Sequence, residues 1–239
     1  MENRTEILNQ GFEAAGIMLS EGQTAAFLRY AELLEEWNEK MNLTAITEFP
    51  EVVRKHFVDC VYPFALLKAE GPLTLIDVGS GAGFPGIPLK IMFPALRVTL
   101  IDSLNKRVRF LEEVIRTLNL TDIRALHGRA EDLARDPQLR ERFDLSTARA
   151  VAPLPVLAEY CLPFVRRGGR FLAYKSGQTE EELAGAENAL RILGAKENGS
   201  LHYSLPGSGD GRSLLILEKQ RNTPPIYPRK AGTASKKPL

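Results

Sequence analysis

At 239 residues, with 44% hydrophobic and 26% charged side chains, the chain holds enough apolar material for one substantial core plus an extension. No stretch approaches the roughly 18 apolar residues of a membrane span. The polar start MENRTEILNQ does not read as a signal or transit peptide, and Cys60 and Cys161 are too sparse for a disulfide framework or a zinc site. Two free thiols, a cytoplasmic location, no metal and no membrane anchor are the expectations. Net charge is +1 but uneven: residues 1–70 hold 12 acids and 6 bases, and the remainder 18 and 25. Five cations, Arg221, Arg229, Lys230, Lys236 and Lys237, fall in the last 19 residues with no acid among them. That bias predicts an anionic partner for the C-terminal part.

The first 70 residues read as a helical extension. In AAFLRYAELLEEWNEKMNL, residues Phe27, Ala31, Leu34, Trp37 and Met41 recur at three- and four-residue steps, and Ser20 stands ahead as a cap. A second helix is expected after Pro50, with Val52, Phe57, Val61 and Phe64 on one face. From residue 71 the pattern alternates. Strands are predicted at LTLIDV (73–78), RVTLID (97–102), IRALHG (123–128), FDLSTARA (143–150) and GRFLAYKS (169–176). Helices are predicted at PLKIMF, at KRVRFLEEVIRTLNL, over 153–165 and near 179–193. Alternating units of this kind build a mostly parallel α/β sheet of Rossmann type with right-handed crossovers. LHYSL and SLLILEK, separated only by a short glycine-rich turn, predict a final antiparallel hairpin and a seven-stranded total. The α/β domain is thus placed at 71–220, and a basic, irregular tail at 221–239.

The first strand runs into DVGSGAGFPG (77–86), which carries two overlapping glycine patterns. From Asp77 it reads D-x-G-x-G-x-G, the loop of an S-adenosylmethionine site; from Gly81 it reads G-x-G-x-x-G, a dinucleotide fingerprint. The second frame starts late and contains Pro85, which removes an N–H where a pyrophosphate needs donors. Asp77 places an acid where a ligand ammonium finds a counter-charge, directly or through water. The first frame is therefore preferred, with Gly86 easing the turn into the next helix. Asp102 ends the second strand, the position at which an acid accepts ribose hydroxyls, and Ser103 follows it. In GRAEDL, Ala130 and Glu131 fall where an adenine and its amino group lie, although Glu131 and Asp132 equally suit a helix cap.

Absent patterns narrow the chemistry. The fourth strand ends in STARAV, without the (D/N)-P-P-(Y/F/W) element of an exocyclic amino methylase. Cys161, in YCLPF, reads as core, and no general-base constellation is visible. The target atom is then already nucleophilic, as a ring nitrogen is, and the protein supplies mainly alignment.

Long stretches of the chain resemble the bacterial 16S ribosomal RNA guanine-N7 methyltransferase G family, also called the glucose-inhibited division protein B family. The likeness is carried by WNEKMNLTAIT (37–47), RKHFVDC (54–60), DVGSGAGFPGIPLKI (77–91), DSLNKRVRFL (102–111), GRAEDL (128–133), TARAVAPL (147–154), YKSG (174–177) and YPRKAGTASKKPL (227–239). Departures are small: Cys60 stands for a usual serine, Ala148 for another small residue, and Thr-Ala for a proline in the tail. The resemblance implies methylation of a guanine N7 in the 530 loop of 16S rRNA, with S-adenosyl-L-methionine as donor. It also implies cofactor contacts at Gly79, Phe84, Asp102, Ala130, Glu131 and Arg149. With the loop reading, the expected cofactor set adds Asp77, Gly81, Gly83 and Ser103. The expected partner is 16S rRNA or the 30S subunit, and the expected state a monomer.

Arg149 and Lys175, at the carboxyl ends of two strands, are the candidates for substrate positioning. A fork-shaped cation at 149 can hold the methionine carboxylate, a target phosphate or O6, or pair with a structural acid. RNA contacts are expected from Arg54, Lys55, His56, Lys175, Arg229, Lys230, Lys236 and Lys237. The bland alternatives are a solvated helix face for Arg54 and Lys55, and a satisfied packing residue for His56. Asn38 and Asn42 are expected to brace a helix end, and Trp37 to be core. Three rival readings are an NAD(P)-dependent oxidoreductase, a ribosome-assembly binding protein without turnover, and a small-molecule methyltransferase.

Overall fold

The computed structural model describes residues 3–68, 71–149, 152–177, 179–207 and 209–239. Helix α1 (Arg4–Glu13) starts at Asn3, whose side chain accepts from the Thr5 N–H. Helix α2 (Glu21–Met41) begins in a capping box: Ser20 accepts from the Gln23 amide while the Gln23 side chain accepts from the Ser20 amide. The apolar stripe turns inward, with Phe27, Ala31 and Leu34 buried and Trp37 half-buried, its ring 5.6 Å from Phe110. Asn42 ends α2 in a left-handed conformation, and Asn38 accepts from the Thr44 N–H at 2.9 Å, so both asparagines brace that end.

The helix expected after Pro50 is interrupted. Residues Phe49–Val52 form α3, Val53–Val58 widen into a π-helical turn, and Asp59–Leu66 form α4. The apolar positions Val52, Phe57, Val61 and Phe64 are nonetheless all buried. The wider turn changes which polar residues point back at the sheet, and such turns often occur at functional positions.

Strands β1 (Thr74–Val78), β2 (Arg97–Asp102), β3 (Ile123–His127), β4 (Phe143–Arg149) and β5 (Val165–Ser176) run parallel. Strands β6 (Ala195–Ser204) and β7 (Gly211–Lys219) form the antiparallel hairpin, with β7 slotted between β5 and β6. The order is β3-β2-β1-β4-β5-β7-β6, the seven-stranded arrangement expected. Ala150, expected to close the fourth strand, lies outside the described residues.

Alternation along each strand divides the core. Leu75, Val98, Leu100, Leu172 and Leu214 face the N-terminal helices, α5 (Gly86–Met92) and α6 (Asn105–Thr117). Ile76, Ile101, Phe171, Ala173 and Leu215 face α7 (Ala130–Leu133), α8 (Leu154–Cys161) and α9 (Glu180–Leu193). Leu8, Phe12, Phe27, Phe57 and Phe64 belong to the first of these clusters, so the apolar core runs across the change of pattern near residue 70. Cys161 is buried in the second cluster, and both cysteines are free and buried. No helix among the described residues is long and apolar enough to cross a membrane, and no cluster of three metal-ligating side chains occurs among them.

The tail is less irregular than its composition suggests. Arg140 donates to the carbonyls of Thr223 and Tyr227, and Arg135 donates to that of Pro228. A last short helix, α10 (Thr233–Lys236), packs beside α8.

Candidate active site

Strand order reverses between β1 and β4, and ligands of open α/β sheets bind beyond the carboxyl ends of the strands at such a point. The glycine loop leaves β1 there. Gly79, Gly81 and Gly83 have φ of 73°, 59° and 97°, a region that disfavours any side chain. At Gly83 a Cβ would also lie 2.5 Å from Ile87 Cδ1 and 2.7 Å from the Tyr30 hydroxyl. That hydroxyl donates to the Ala82 carbonyl, so α2 pins the loop from behind.

Gly86 does more than ease a turn. A Cβ there would meet Leu100 Cδ2 at 2.3 Å and Asp77 Oδ2 at 3.0 Å. Gly86 therefore faces the sheet, and the frame that begins at Gly81 forms no phosphate cradle. Asp77 is fully buried, with Oδ2 accepting from the Gly86 N–H at 3.1 Å and Oδ1 from the Thr147 hydroxyl at 3.1 Å. Burial pushes its carboxyl up to about 6, against the pull of these donors. Both oxygens are bonded within the protein, and Asp77 braces the loop from below.

Asp102 sits at the mouth of the same loop, accepting from the Gly81 amide at 2.9 Å and from the Leu104 amide at 2.8 Å. Arg107 lies 3.6 Å from it. Ser103 is exposed beside it, and Ala130 and Glu131 open α7 across from it. Glu131 caps nothing in α7: its Oε1 accepts from the Gly232 N–H of the tail at 2.9 Å. Gly79, Asp102, Ser103, Ala130 and Glu131 border one cavity of about 170 Å³. Left-handed glycines that exclude a Cβ, beside a carboxylate at the β2 end and a second one at α7, fit an adenosine-bearing cofactor.

A second cavity, of about 560 Å³, lies over the ends of β4, β5 and β7. Arg149 is its pivot. One guanidinium nitrogen donates to the Lys55 carbonyl at 2.9 Å and to Asp59 Oδ2 at 3.2 Å; the other donates to His56 Nδ1 at 3.0 Å. The guanidinium also lies 4.9 Å from the Phe84 ring centre, on which His56 stacks at 4.4 Å. His56 Nδ1 also lies 3.2 Å from the Lys55 carbonyl, and its Nε2 shares a 2.9 Å hydrogen bond with the Thr44 hydroxyl. Burial, and then the Arg149 charge, push His56 down to about 3. His56 is thus a neutral, buried packing residue and not the surface RNA contact expected of it.

Lys175 reaches into this cavity, where its ammonium meets Glu182 at 2.5 Å and the Ala152 carbonyl at 3.0 Å. Lys55 borders it as well, though its ammonium pairs with Glu51, as does Arg54. Arg229 is half-buried, and its guanidinium and amide bind the carboxylate of fully buried Glu159 through contacts as short as 2.6 Å. It is a structural cation, in contrast to the RNA role expected of it. Lys230, Lys236 and Lys237 are exposed.

Sequence reasoning missed Asp59, Tyr203, Arg212 and Glu182. Asp59 joins Arg149, Arg212 at 3.6 Å and the Tyr203 hydroxyl at 3.0 Å, and all four residues line the second cavity. The only available signal was the position of Asp59 inside RKHFVDC; the partners come from the far hairpin.

Comparison with known proteins gives the family and the fold. The family model described as rRNA small subunit methyltransferase G, GidB, matches residues 23–205. The ribosomal RNA small subunit methyltransferase G of Acetivibrio thermocellus is 50% identical over 234 residues, covering 98% of this chain and 96% of that protein. Its namesake in an Exiguobacterium species is 51% identical over 233 residues, covering 96% and 97%. Among solved structures, TrmN from Thermus thermophilus superposes with a TM-score of 0.51 at 19% identity, over 70% of this chain and 53% of that one. Geranyl diphosphate C-methyltransferase from Streptomyces coelicolor, solved with S-adenosyl-L-homocysteine, gives 0.51 at 14% identity, over 68% and 78%. At those identities the structures speak to the fold. The near full-length relatives and the family match speak to descent: the chain belongs to the GidB family, rRNA small subunit methyltransferase G.

Proposed function

We propose that the chain methylates N7 of a guanine in 16S rRNA, in the 530 loop, using S-adenosyl-L-methionine. Asp102 holds the ribose hydroxyls, Ala130 and Glu131 the adenine, and the Gly79–Gly83 backbone approaches the methionine part. When bound, the cofactor supplies an electrophilic methyl group on a sulfonium. The target base enters the second cavity, where Arg149 and Lys175 position it and where Arg212 adds positive charge for RNA phosphates.

The observation that carries the choice of N7 is the state of the titratable groups. His56 has both ring nitrogens engaged and a pKa depressed to about 3, and Asp77 is sealed below the loop. Neither is placed to take a proton from a substrate, and the two carboxylates that line the second cavity are tied up as well, Asp59 with Arg149 and Tyr203 and Glu182 with Lys175. Guanine N7 presents a lone pair at neutral pH and loses no proton on methylation, so alignment suffices, and this is worth ~7–11 kcal/mol in well-oriented systems. The developing positive charge on the base falls beside Asp59 and Glu182. In A-form RNA that atom lies in a deep, narrow groove, so an unstacked loop base is the reachable form.

The test is incubation with labelled cofactor and either undermethylated small subunits or free rRNA, followed by nucleoside analysis. Label on guanine N7 is the expected result; label absent from RNA, or on another atom, overturns the reading. Calorimetry with S-adenosyl-L-homocysteine and NADH, expected to give saturation for the first alone, tests the cofactor separately.

A further inference from the structure

The tail carries an observation that the cofactor reading does not absorb. Gly232 and Ser235 border the same cavity as Gly79, Asp102 and Glu131. They are held there by polar contacts: the Gly232 amide donates to Glu131, and the Ser235 hydroxyl shares a 3.0 Å hydrogen bond with the Tyr160 hydroxyl. Gly232 has φ of 79°, a left-handed turn that starts α10 and brings the chain back against α8. Upstream, the Arg229–Glu159 pair and the Arg140 and Arg135 contacts anchor the segment independently of the cavity.

We propose that residues 231–237 are the outer wall of the adenosine pocket, so that cofactor affinity depends on the docked tail. The inference rests on the cofactor reading above and extends it to a segment more than 100 residues from the glycine loop. Gly232 acts as a positioning residue. Its amide occupies Oε1 of Glu131 and so fixes a carboxylate that borders the cavity. Apolar burial of the adenosine end is then completed by the tail and not by the sheet alone. By linkage, a ligand that needs the docked tail must also hold the tail in place.

Two measurements test this. A chain ending at Lys230 keeps the Arg229–Glu159 pair and loses the wall, together with the packing of Ala234 and Leu239. Its ligand-free melting temperature is expected to stay within a few degrees of the full chain, while its Kd for S-adenosyl-L-homocysteine rises about tenfold or more. In the full chain, saturating S-adenosyl-L-homocysteine is expected to slow trypsin cleavage after Lys230 and Lys236, read by mass spectrometry. Unchanged affinity in the shortened chain, or cleavage indifferent to the ligand, overturns the proposal. Tighter binding by the shortened chain would make the segment a plug and overturns it as well. If the full chain binds no S-adenosyl-L-homocysteine, the cofactor reading itself has failed.

Discussion

Replacing Gly86 with alanine adds one methyl group where β1, β2 and α5 meet. The new Cβ would lie 2.3 Å from Leu100 Cδ2, 3.0 Å from Asp77 Oδ2 and 3.2 Å from Asp77 Cβ. Carbon atoms in contact prefer about 3.5–4.0 Å, so something must move by more than an ångström. Leu100 is fully buried, so its side chain must repack within the core or α5 must be displaced from the sheet. Overpacking of this kind costs about 1–3 kcal/mol. Displacement also stretches the 3.1 Å bond from the Gly86 amide to the Asp77 carboxylate, a charge-assisted bond worth roughly 1.5–3 kcal/mol. The better helix propensity of alanine returns only ~0.5–1 kcal/mol. The net expectation is a loss of about 1.5–5.5 kcal/mol, or roughly 3–20 °C in melting temperature for a chain of this size. Gly185, inside α9, is the control: it is exposed and a Cβ there meets nothing within 4 Å. Gly185→Ala should stabilise by about 0.5–1 kcal/mol. Urea unfolding of both variants at constant m decides the matter. Gly86→Ala at or above wild-type stability would refute the claim that this glycine exists for close packing.

Arg229→Ala strands Glu159 as a buried, unpaired carboxylate and should destabilise by about 3–5 kcal/mol, whereas exposed Lys230→Ala should stay within about 0.5 kcal/mol; equal effects in thermal melts would contradict the assignment. With Arg229 committed, four tail cations remain for phosphates, so their share of the log K against log salt slope for single-stranded RNA has a ceiling near −2.8; a total tail contribution steeper than that ceiling, lowered when Arg229 is neutralised as well, would show that the pair opens on RNA. His56 is depressed from 6.5 to about 3 on folding, so the native state binds fewer protons, and its stabilising contribution, present above pH 6.5, drains away as pH falls toward 3 by up to about 1.4 kcal/mol per unit. Asp77, raised from 3.8 to about 6, has the opposite sign, its contribution growing as pH falls from 6 to 4. The wild-type minus His56→Gln stability difference isolates the imidazole and should shrink below pH 6.5; a flat difference between pH 7 and 4 contradicts it. Asp102→Ala removes the acceptor for Gly81 and Leu104 together with the ribose site, and calorimetry should find S-adenosyl-L-homocysteine binding weakened by about 30-fold or more; retained affinity would move the ribose elsewhere.

What was legible in the chain itself was local. Short apolar runs alternating with helical stretches placed the seven strands, Ser20 marked the start of α2, and the glycine pattern after β1 marked the loop in which Gly79, Gly81 and Gly83 adopt left-handed turns. Each of those signals depends on neighbours within a few residues, where backbone sterics and side-chain direction dictate the outcome. The family resemblance supplied the expectation of a methyl donor, and the glycine loop with Asp102 supplied its physical grounds.

What only the tertiary structure decided was the fate of charges and the partners of distant residues. A lone arginine in a basic tail looks like a phosphate contact until Glu159, 70 positions earlier, proves to be buried against it. His56 looked like an RNA ligand until a π-helical turn folded it under Arg149, 93 positions away, and onto Phe84. Asp77 keeps both oxygens inside because Gly86 and Thr147 reach it first. Whether a charged side chain meets water, RNA or another side chain depends on the free-energy cost of its desolvation at one place in the fold. That place is set by packing between segments far apart in the chain, and no local pattern carries it.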